Sequence, residues 1–351
     1  MTTDALSTLT DPVILFFVLG LVAGAVRSTL EIPAPVTRFL SLYLLMAIGF
    51  KGGQALAASG VTAEGVVVLG LALVLSLTIP TLGYRVLRGR VPAADAAAIA
   101  ATYGSVSAVT FVAASQFLSA RGEAVGGHMT VALVVMETPA IVLAVVLANR
   151  ARSRRVVVTR EPVAAGVGGV ATSTPTAAGP LSVETPTTPP RIGALLRTAF
   201  TEGTFVLLVG SLVVGAASGS AGAEAMSPFV VDLFKGLLAF FLLDLGLVVA
   251  RQLREVRAIT PFLAGFALVT PLVGAALALT LGALAGLGLG DLTLLMVLAA
   301  SGSYIVVPAI ARVAIPESLP SRYLTMALGF TFPFNIVVGI PLYHHLAGLV
   351  A

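Results

Sequence analysis

The sequence predicts an all-α integral membrane protein of about ten transmembrane helices, arranged as a five-plus-five inverted repeat with two interrupted helices. Three observations lead there. The 351 residues are 58% hydrophobic and only 10% charged, with a mean hydropathy of +1.04, far from the balance of a soluble domain. Apolar stretches of about 20 residues recur along the chain, the length at which a helix crosses a ~30 Å hydrocarbon core. Two of these stretches, at equivalent places in the two halves, carry Gly and Ser where bulky apolar side chains would be expected. A membrane barrel would alternate polar and apolar residues over about ten positions, and that alternation is missing, so the spans are read as helices.

Taken in order, Met1 to Pro12 is polar and holds Asp4 and Asp11 but no Lys or Arg. It is therefore expected not to be a cleavable signal peptide, and the first span, 12–27, is expected to be retained. The second span, 35–58, contains Lys51 well inside its length. The third covers 62–84. The fourth, 93–120, has the centre Thr102-Tyr103-Gly104-Ser105-Val106-Ser107-Ala108, and the fifth, 126–149, carries Met136-Glu137-Thr138-Pro139. From Arg150 to Arg197 the chain turns polar and rich in Thr, Pro and Ala, a composition that cannot bury a core and reads as a disordered linker. The sixth span is 200–219. The seventh, 228–250, contains Asp244, with Asp232 and Lys235 near one end, expected to pair three residues apart. The eighth is 258–286, the ninth 291–312 with Ala300-Ser301-Gly302-Ser303-Tyr304, and the tenth 322–348.

Three segments follow: a first membrane half, 1–149, a cytoplasmic linker, 150–197, and a second half, 198–351. The halves echo each other at an offset near 195 residues. Asp95 precedes Ser105-Val106-Ser107 by ten residues, as Asp291 precedes Ser301-Gly302-Ser303, and Pro139 matches Pro333. Five spans per copy, an odd number, force the second copy upside down in the bilayer. If both termini lie outside, seventeen of the twenty basic residues fall in cytoplasmic segments and only Arg121 in an outer loop, which orients the chain in the plasma (inner) membrane. The net charge of +4 thereby belongs to topology, and nucleic acid is excluded as a partner.

Gly and Ser at the centres of the fourth and ninth spans weaken helix propagation. Each span is expected to break near the bilayer midplane, so that the second half-helix starts there with open amides and about +0.5 elementary charge. Two such starts facing one another suit a single monovalent anion, held by backbone amides and hydroxyls. Gly104, Ser105, Val106 and Ser107 from one span, with Ser301, Gly302, Ser303 and Tyr304 from the other, are the substrate-binding candidates. The first half-helices end in carbonyls suited to a sodium ion. Ionisable groups within spans are costly and mark function by default. Glu137 and Asp244, with Thr110, are the cation-coupling candidates, and Lys51 is a structural charge expected to pair with Asp244.

No cysteine is present, which removes disulfides, thiol nucleophiles and thiolate metal sites. His128, His344 and His345 lie near span ends, where solvated or interfacial roles are expected. No metal, cofactor or enzymatic constellation is predicted, and no glycine-rich Lys loop for ATP occurs. A cation/proton antiporter, an organic-anion symporter and a non-transporting membrane sensor are the alternatives of the same architecture.

Several ordered motifs make the chain similar to the cyanobacterial-type sodium-dependent bicarbonate transporters. They are Gly49 and Gly52-Gly53; Gly104, Val106-Ser107, Thr110 and Ala113-Ala114; Met136-Glu137-Thr138-Pro139-Ala140 with Val146-Leu147-Ala148-Asn149; and Leu298 through Tyr304 with Arg312, Ile315-Pro316, Pro320-Ser321-Arg322-Tyr323 and Ile340-Pro341-Leu342. The resemblance implies a core domain moving against a gate domain, bicarbonate uptake coupled to sodium, a homotrimer, and inhibition by a cytosolic protein related to the nitrogen-regulatory trimers. Where that family usually has a third serine and an aspartate, this chain has Gly302-Ser303-Tyr304. Glu137 stands where the family tends to carry aspartate.

Overall fold

In this computed structural model the described residues are 11–60, 62–137, 203–255 and 259–351, with single positions between 138 and 202. The expected linker, 150–197, lies outside them save for isolated positions. The described residues are helical throughout, with no strand beyond one isolated bridge at Arg88 and Val91. In chain order the helices are α1 (Pro12–Ala25), α2 (Ala34–Ser59), α3 (Ala63–Leu87), α4 (Ala93–Gly104), α5 (Ala108–Ser119), α6 (His128–Glu137), α7 (Gly203–Ser227), α8 (Phe234–Glu255), α9 (Pro261–Leu284), α10 (Leu289–Ala300), α11 (Val306–Ala314) and α12 (Pro320–Ala347).

The helix starts follow from local chemistry. Asp11 accepts from the Val13 amide at 2.8 Å and is followed by proline at the first position of α1, while Thr62 and Thr260 cap α3 and α9. The range of α7 is broken at Gly219, whose φ of 59° and ψ of -164° are non-helical, and a single wide turn, Pro228–Asp232, then leads into α8 at Phe234 without leaving helical backbone angles. Lys235 approaches Asp11 at 3.8 Å rather than Asp232, correcting the expected pair. Wide turns also occupy 325–331 and 335–339 of α12, close to Pro333 and Pro341, whose missing amides leave gaps in the normal ladder.

Among the described residues, six helical stretches are long and apolar enough to cross a bilayer, and three shorter apolar helices, α1, α6 and α10, accompany them, so the protein is a multi-pass membrane protein. In the stretch spanning α4 and α5, 89% of its apolar 18-residue window is buried inside the protein, against 39% of the corresponding windows of α3 and α9, whose outer faces present Val66, Val67, Val74, Val269 and Val273. A helix buried on every side in a membrane protein has been withdrawn from lipid, and that is where polar chemistry can be housed.

Helices approach closely where glycines remove side chains. Helix α1 packs on α8 through Gly20, Gly24 and Gly246, and α2 packs on α7 through Gly49, Gly53 and Gly215. A Cβ at Gly20 would meet the Leu243 carbonyl, and one at Gly53 the Leu212 carbonyl. Helix α4 lies against α3, with Gly104 under the Pro80 ring, and α10 lies against α9, with Gly274 under the Ala299 carbonyl.

Two carboxylates tie the halves together. Asp95, in the first turn of α4, accepts from the Leu319 amide at 2.7 Å and from the Arg322 guanidinium, so it anchors the start of α12. Asp291, in the first turn of α10, accepts from the Gly126 amide at 2.8 Å and meets His128 Nε2 at 2.7 Å, anchoring the start of α6. His128 is therefore buried at its span end by an ion-pair partner, where a solvated or interfacial role was expected.

The close contacts make a graded prediction. Gly20→Ala and Gly53→Ala force a Cβ into backbone and should each cost about 1–3 kcal/mol, seen as a lower Tm in detergent. Gly70→Ala on α3, which meets nothing within 4 Å, should leave Tm unchanged or slightly raised.

Candidate functional site

Both expected breaks are present. Helix α4 ends at Gly104, and Ser105 and Ser107 are extended before α5 begins at Ala108; α10 ends at Ala300, Ser301 is extended, and α11 begins at Val306. The residues responsible are those whose side chains compete with the helix for backbone partners. Ser107 caps α5, its Oγ accepting from the Thr110 amide at 3.2 Å and from Thr110 Oγ1 at 2.9 Å. Ser303 performs the equivalent task for α11, accepting from the Val307 amide at 3.3 Å.

The breaks touch. The Ser303 amide donates to the Thr102 carbonyl at 2.8 Å, and the Ser107 amide donates to Ser301 Oγ at 3.0 Å, while Ser301 Oγ itself donates to the Leu298 carbonyl at 2.9 Å. Helix α4 packs against α11, and α5 against α10, so the interrupted spans cross antiparallel with their loops in register. Further bonds hold the crossing in place. Asn335 of α12 donates from Nδ2 to the Ala300 carbonyl at 2.8 Å and accepts from the Tyr343 hydroxyl at 2.9 Å; Tyr103 and Thr331 share a bond at 2.7 Å, and Thr331 donates to the Ala267 carbonyl at 2.7 Å.

Beside the crossing lies a small cavity of about 20 Å³ bounded by Val106, Ser107 and Ala108 from one break and Ser303, Tyr304, Ile305 and Val306 from the other, with Glu137, Thr204, Leu45, Leu133 and Leu208 completing it. The first amides of α5 and α11, at Ala108 and Val306, have no acceptor within their own helices. Two positively polarised helix starts thus border one small cavity, and one carboxylate, Glu137, stands with them. The Tyr304 hydroxyl is buried near Ser107 without completing a hydrogen bond of normal geometry, and its ring meets Phe332 edge-on at 5.7 Å.

The expected residues divide accordingly. Val106, Ser107, Ser303, Tyr304 and Glu137 line the cavity, and Thr110 backs it through Ser107. Gly104, Ser105, Ser301 and Gly302 belong to the crossing and do not line it, and among the carbonyls at the ends of the first half-helices, that of Thr102 accepts from Ser303 and that of Ala300 from Asn335. Asp244 lies elsewhere, accepting from Thr37 Oγ1 at 2.6 Å. The expected Lys51–Asp244 pair is not formed. Thr37 and Lys51 are fourteen residues apart on α2, about 21 Å along the helix, so Asp244 and Lys51 occupy different levels of the membrane. Lys51 Nζ instead sits 5.5 Å from the Phe234 ring centre. Thr204, Asn335 and the two anchoring carboxylates were not predicted as parts of the site. Asp95 and Asp291 were legible only as markers of the repeat, and Asn335 carried no sequence signal beyond being an amide inside an apolar span.

A protein-family model described as Na+-dependent bicarbonate transporter superfamily matches residues 12–348. No curated protein sequence matches the chain.

The hydrogen bonds at the crossing predict unequal costs. Ser107→Ala removes a helix cap and should cost about 0.5–2 kcal/mol, and Ser301→Ala, which strands the Ser107 amide, about 1–3 kcal/mol. Ser105 Oγ is buried without a partner among the described residues, so Ser105→Ala should leave thermal stability unchanged or raised.

Proposed function

Because the chain belongs to the Na+-dependent bicarbonate transporter superfamily, we propose that it is a secondary active transporter that imports bicarbonate, or a similar small monovalent anion, by sodium symport with alternating access. The observation that carries this reading is the single cavity bounded by two half-helix starts and one carboxylate.

Electrostatics supports the coupling. Two helix starts supply about +0.5 elementary charge each, which Glu137 in its ionised form offsets. An anion entering alone would leave the cavity negative inside a low-dielectric protein; a sodium ion beside Glu137 restores neutrality, so the pair moves more readily than either ion singly. Ser107 and Ser303 hold the helix starts open towards the anion, and Glu137, with the hydroxyl of Thr204, faces the cation. The carboxylate that the family usually places in the second break, where this chain has Tyr304, is supplied in this reading by Glu137.

The packing also supports the five-plus-five inverted architecture with ten crossings. Dividing the stretch from Gly203 to Leu253 at Gly219, where the backbone leaves the helix, and counting the three short helices as crossings is consistent with ten spans. Exchanging the halves then converts the α1–α8 contact into the α7–α2 contact, the α3–α4 pair into α9–α10, and the Asp95 anchor into the Asp291 anchor. Both termini face outward in this arrangement, and the linker between the halves faces the cytoplasm.

The test is uptake of labelled bicarbonate into proteoliposomes with sodium, lithium or potassium as the sole external cation at fixed pH. Sodium-dependent accumulation is expected, and uptake indifferent to the cation overturns the symport reading. Glu137→Gln should raise the KM for sodium by about tenfold, roughly 1.4 kcal/mol, and Ser303→Ala should lower kcat/KM for bicarbonate by a similar factor with expression preserved.

A further inference from the structure

A second cavity, of about 390 Å³, lies between α2 and α5 on the side of the membrane that holds the loop from Arg121 to Gly127. Its polar lining is Lys51, Ser115, Gln116, Ser119, Glu123 and Thr130. On each of three helices it begins one turn beyond the central cavity: Ile48 follows Leu45 on α2, Phe111 follows Ala108 on α5, and Thr130 precedes Leu133 on α6. The two cavities are therefore stacked end to end along the same three helices. Buried Ile48 and Phe111 and the Thr130 side chain packed on Gly52 separate them by about 5 Å, the height of one helical turn.

Lys51 is the unusual member of this lining. It stands about 12 Å along α2 from the helix end at Ser59, inside a span, where a charge is retained only with a partner or an aqueous cavity. No carboxylate lies within 4 Å of its Nζ among the described residues. Glu123, the acid of the same cavity, faces His344 at 3.8 Å. The Phe234 ring covers one side of the ammonium and leaves its other donors directed away from the ring. The same cavity is lined by hydroxyl and amide groups of Ser115, Gln116 and Ser119 and by the Glu123 carboxylate, which faces His344. A cation whose remaining neighbours in the lining are neutral, in a cleft with low-dielectric walls, raises the local concentration of a small anion.

We propose that the cavity around Lys51 is an outer binding station for the transported oxyanion, from which it passes the one-turn partition to reach Ser107 and Ser303. The assignment rests on the transport reading above and on the orientation that places the Arg121 to Gly127 loop outside. It makes Lys51 a determinant of anion capture from the external face, separate from the groups that hold anion and cation at the crossing.

The experiment compares wild type, Lys51→Met and Lys51→Arg in oriented proteoliposomes, with labelled bicarbonate added on either face. Lys51→Met keeps the length and apolar packing of the side chain and removes its charge. Its KM for external bicarbonate should rise about three- to tenfold with kcat and the sodium KM changed less than twofold, and the excess should shrink as ionic strength rises. Lys51→Arg should restore the external KM, and the KM measured from the cytoplasmic face should match wild type in all three proteins. A packing role for Lys51 would instead shift kcat and Tm without dependence on salt, and that result overturns the proposal. Wild type that transports with sodium while Lys51→Met keeps its external KM also overturns it, leaving the transport reading intact. Wild type without cation-dependent bicarbonate uptake overturns both.

Discussion

A broken helix inside a bilayer exposes amides and carbonyls that lipid cannot satisfy, and the rest of this structure depends on how that debt is met. Here each break supplies the partner for the other. The Ser303 amide closes on the Thr102 carbonyl and the Ser107 amide on Ser301 Oγ, so neither interrupted span is complete without its counterpart. This mutual dependence forces α4–α5 and α10–α11 to cross at their breaks, and it explains why α4 and α5 are enclosed on all sides while α3 and α9 face lipid. The first amides of α5 and α11 lack acceptors within their own helices, and they border the cavity.

The second constraint is the pair of anchoring carboxylates. Asp95 and Asp291 sit in the first turns of α4 and α10, where the helix dipole favours a negative charge, and each reaches across to the last span of the other half. The crossing is thereby fixed at both of its ends as well as at its centre. Close glycine contacts join α1 to α8 and α2 to α7 as a separate set. The central cavity lies where the two sets meet, since Leu45 and Leu208 come from the α2–α7 pair and Ser107 and Ser303 from the crossing. A site shared by two sets of helices is a site that relative movement of those sets would open or close.

Much of the crossing was readable from residue types alone. Gly and Ser within apolar spans announce a break because they weaken the helix and offer competing hydrogen bonds, and both breaks fall where the sequence pattern put them. The spacing from Asp95 to Ser105 and from Asp291 to Ser301 announced that the two regions correspond. The division of labour among the serines was not readable. Ser107 and Ser303 face the cavity and cap the following helices, whereas Ser301 is consumed in joining the breaks and Ser105 turns away, although all four look alike in the sequence. Which of them faces the cavity is set by a backbone rotation of a few extended residues, and no side-chain pattern encodes that rotation.

The charges within spans show the same boundary from another side. Sequence position placed Lys51, Glu137 and Asp244 inside apolar stretches, and the high cost of isolated charge there marked all three as significant. Their partners came from helices far away along the chain: Asp244 met Thr37, Lys51 met Phe234, and Glu137 came to line one cavity with residues of the two breaks. The sequence by itself determined the solvent, the helical class and the positions of the breaks, because each of these follows from composition and spacing along one segment. Only the tertiary structure decided which buried charge shares a level of the membrane with which partner, because that depends on the vertical offset and rotation of packed helices, and a one-turn slide of α2 would have changed every pairing without altering a residue.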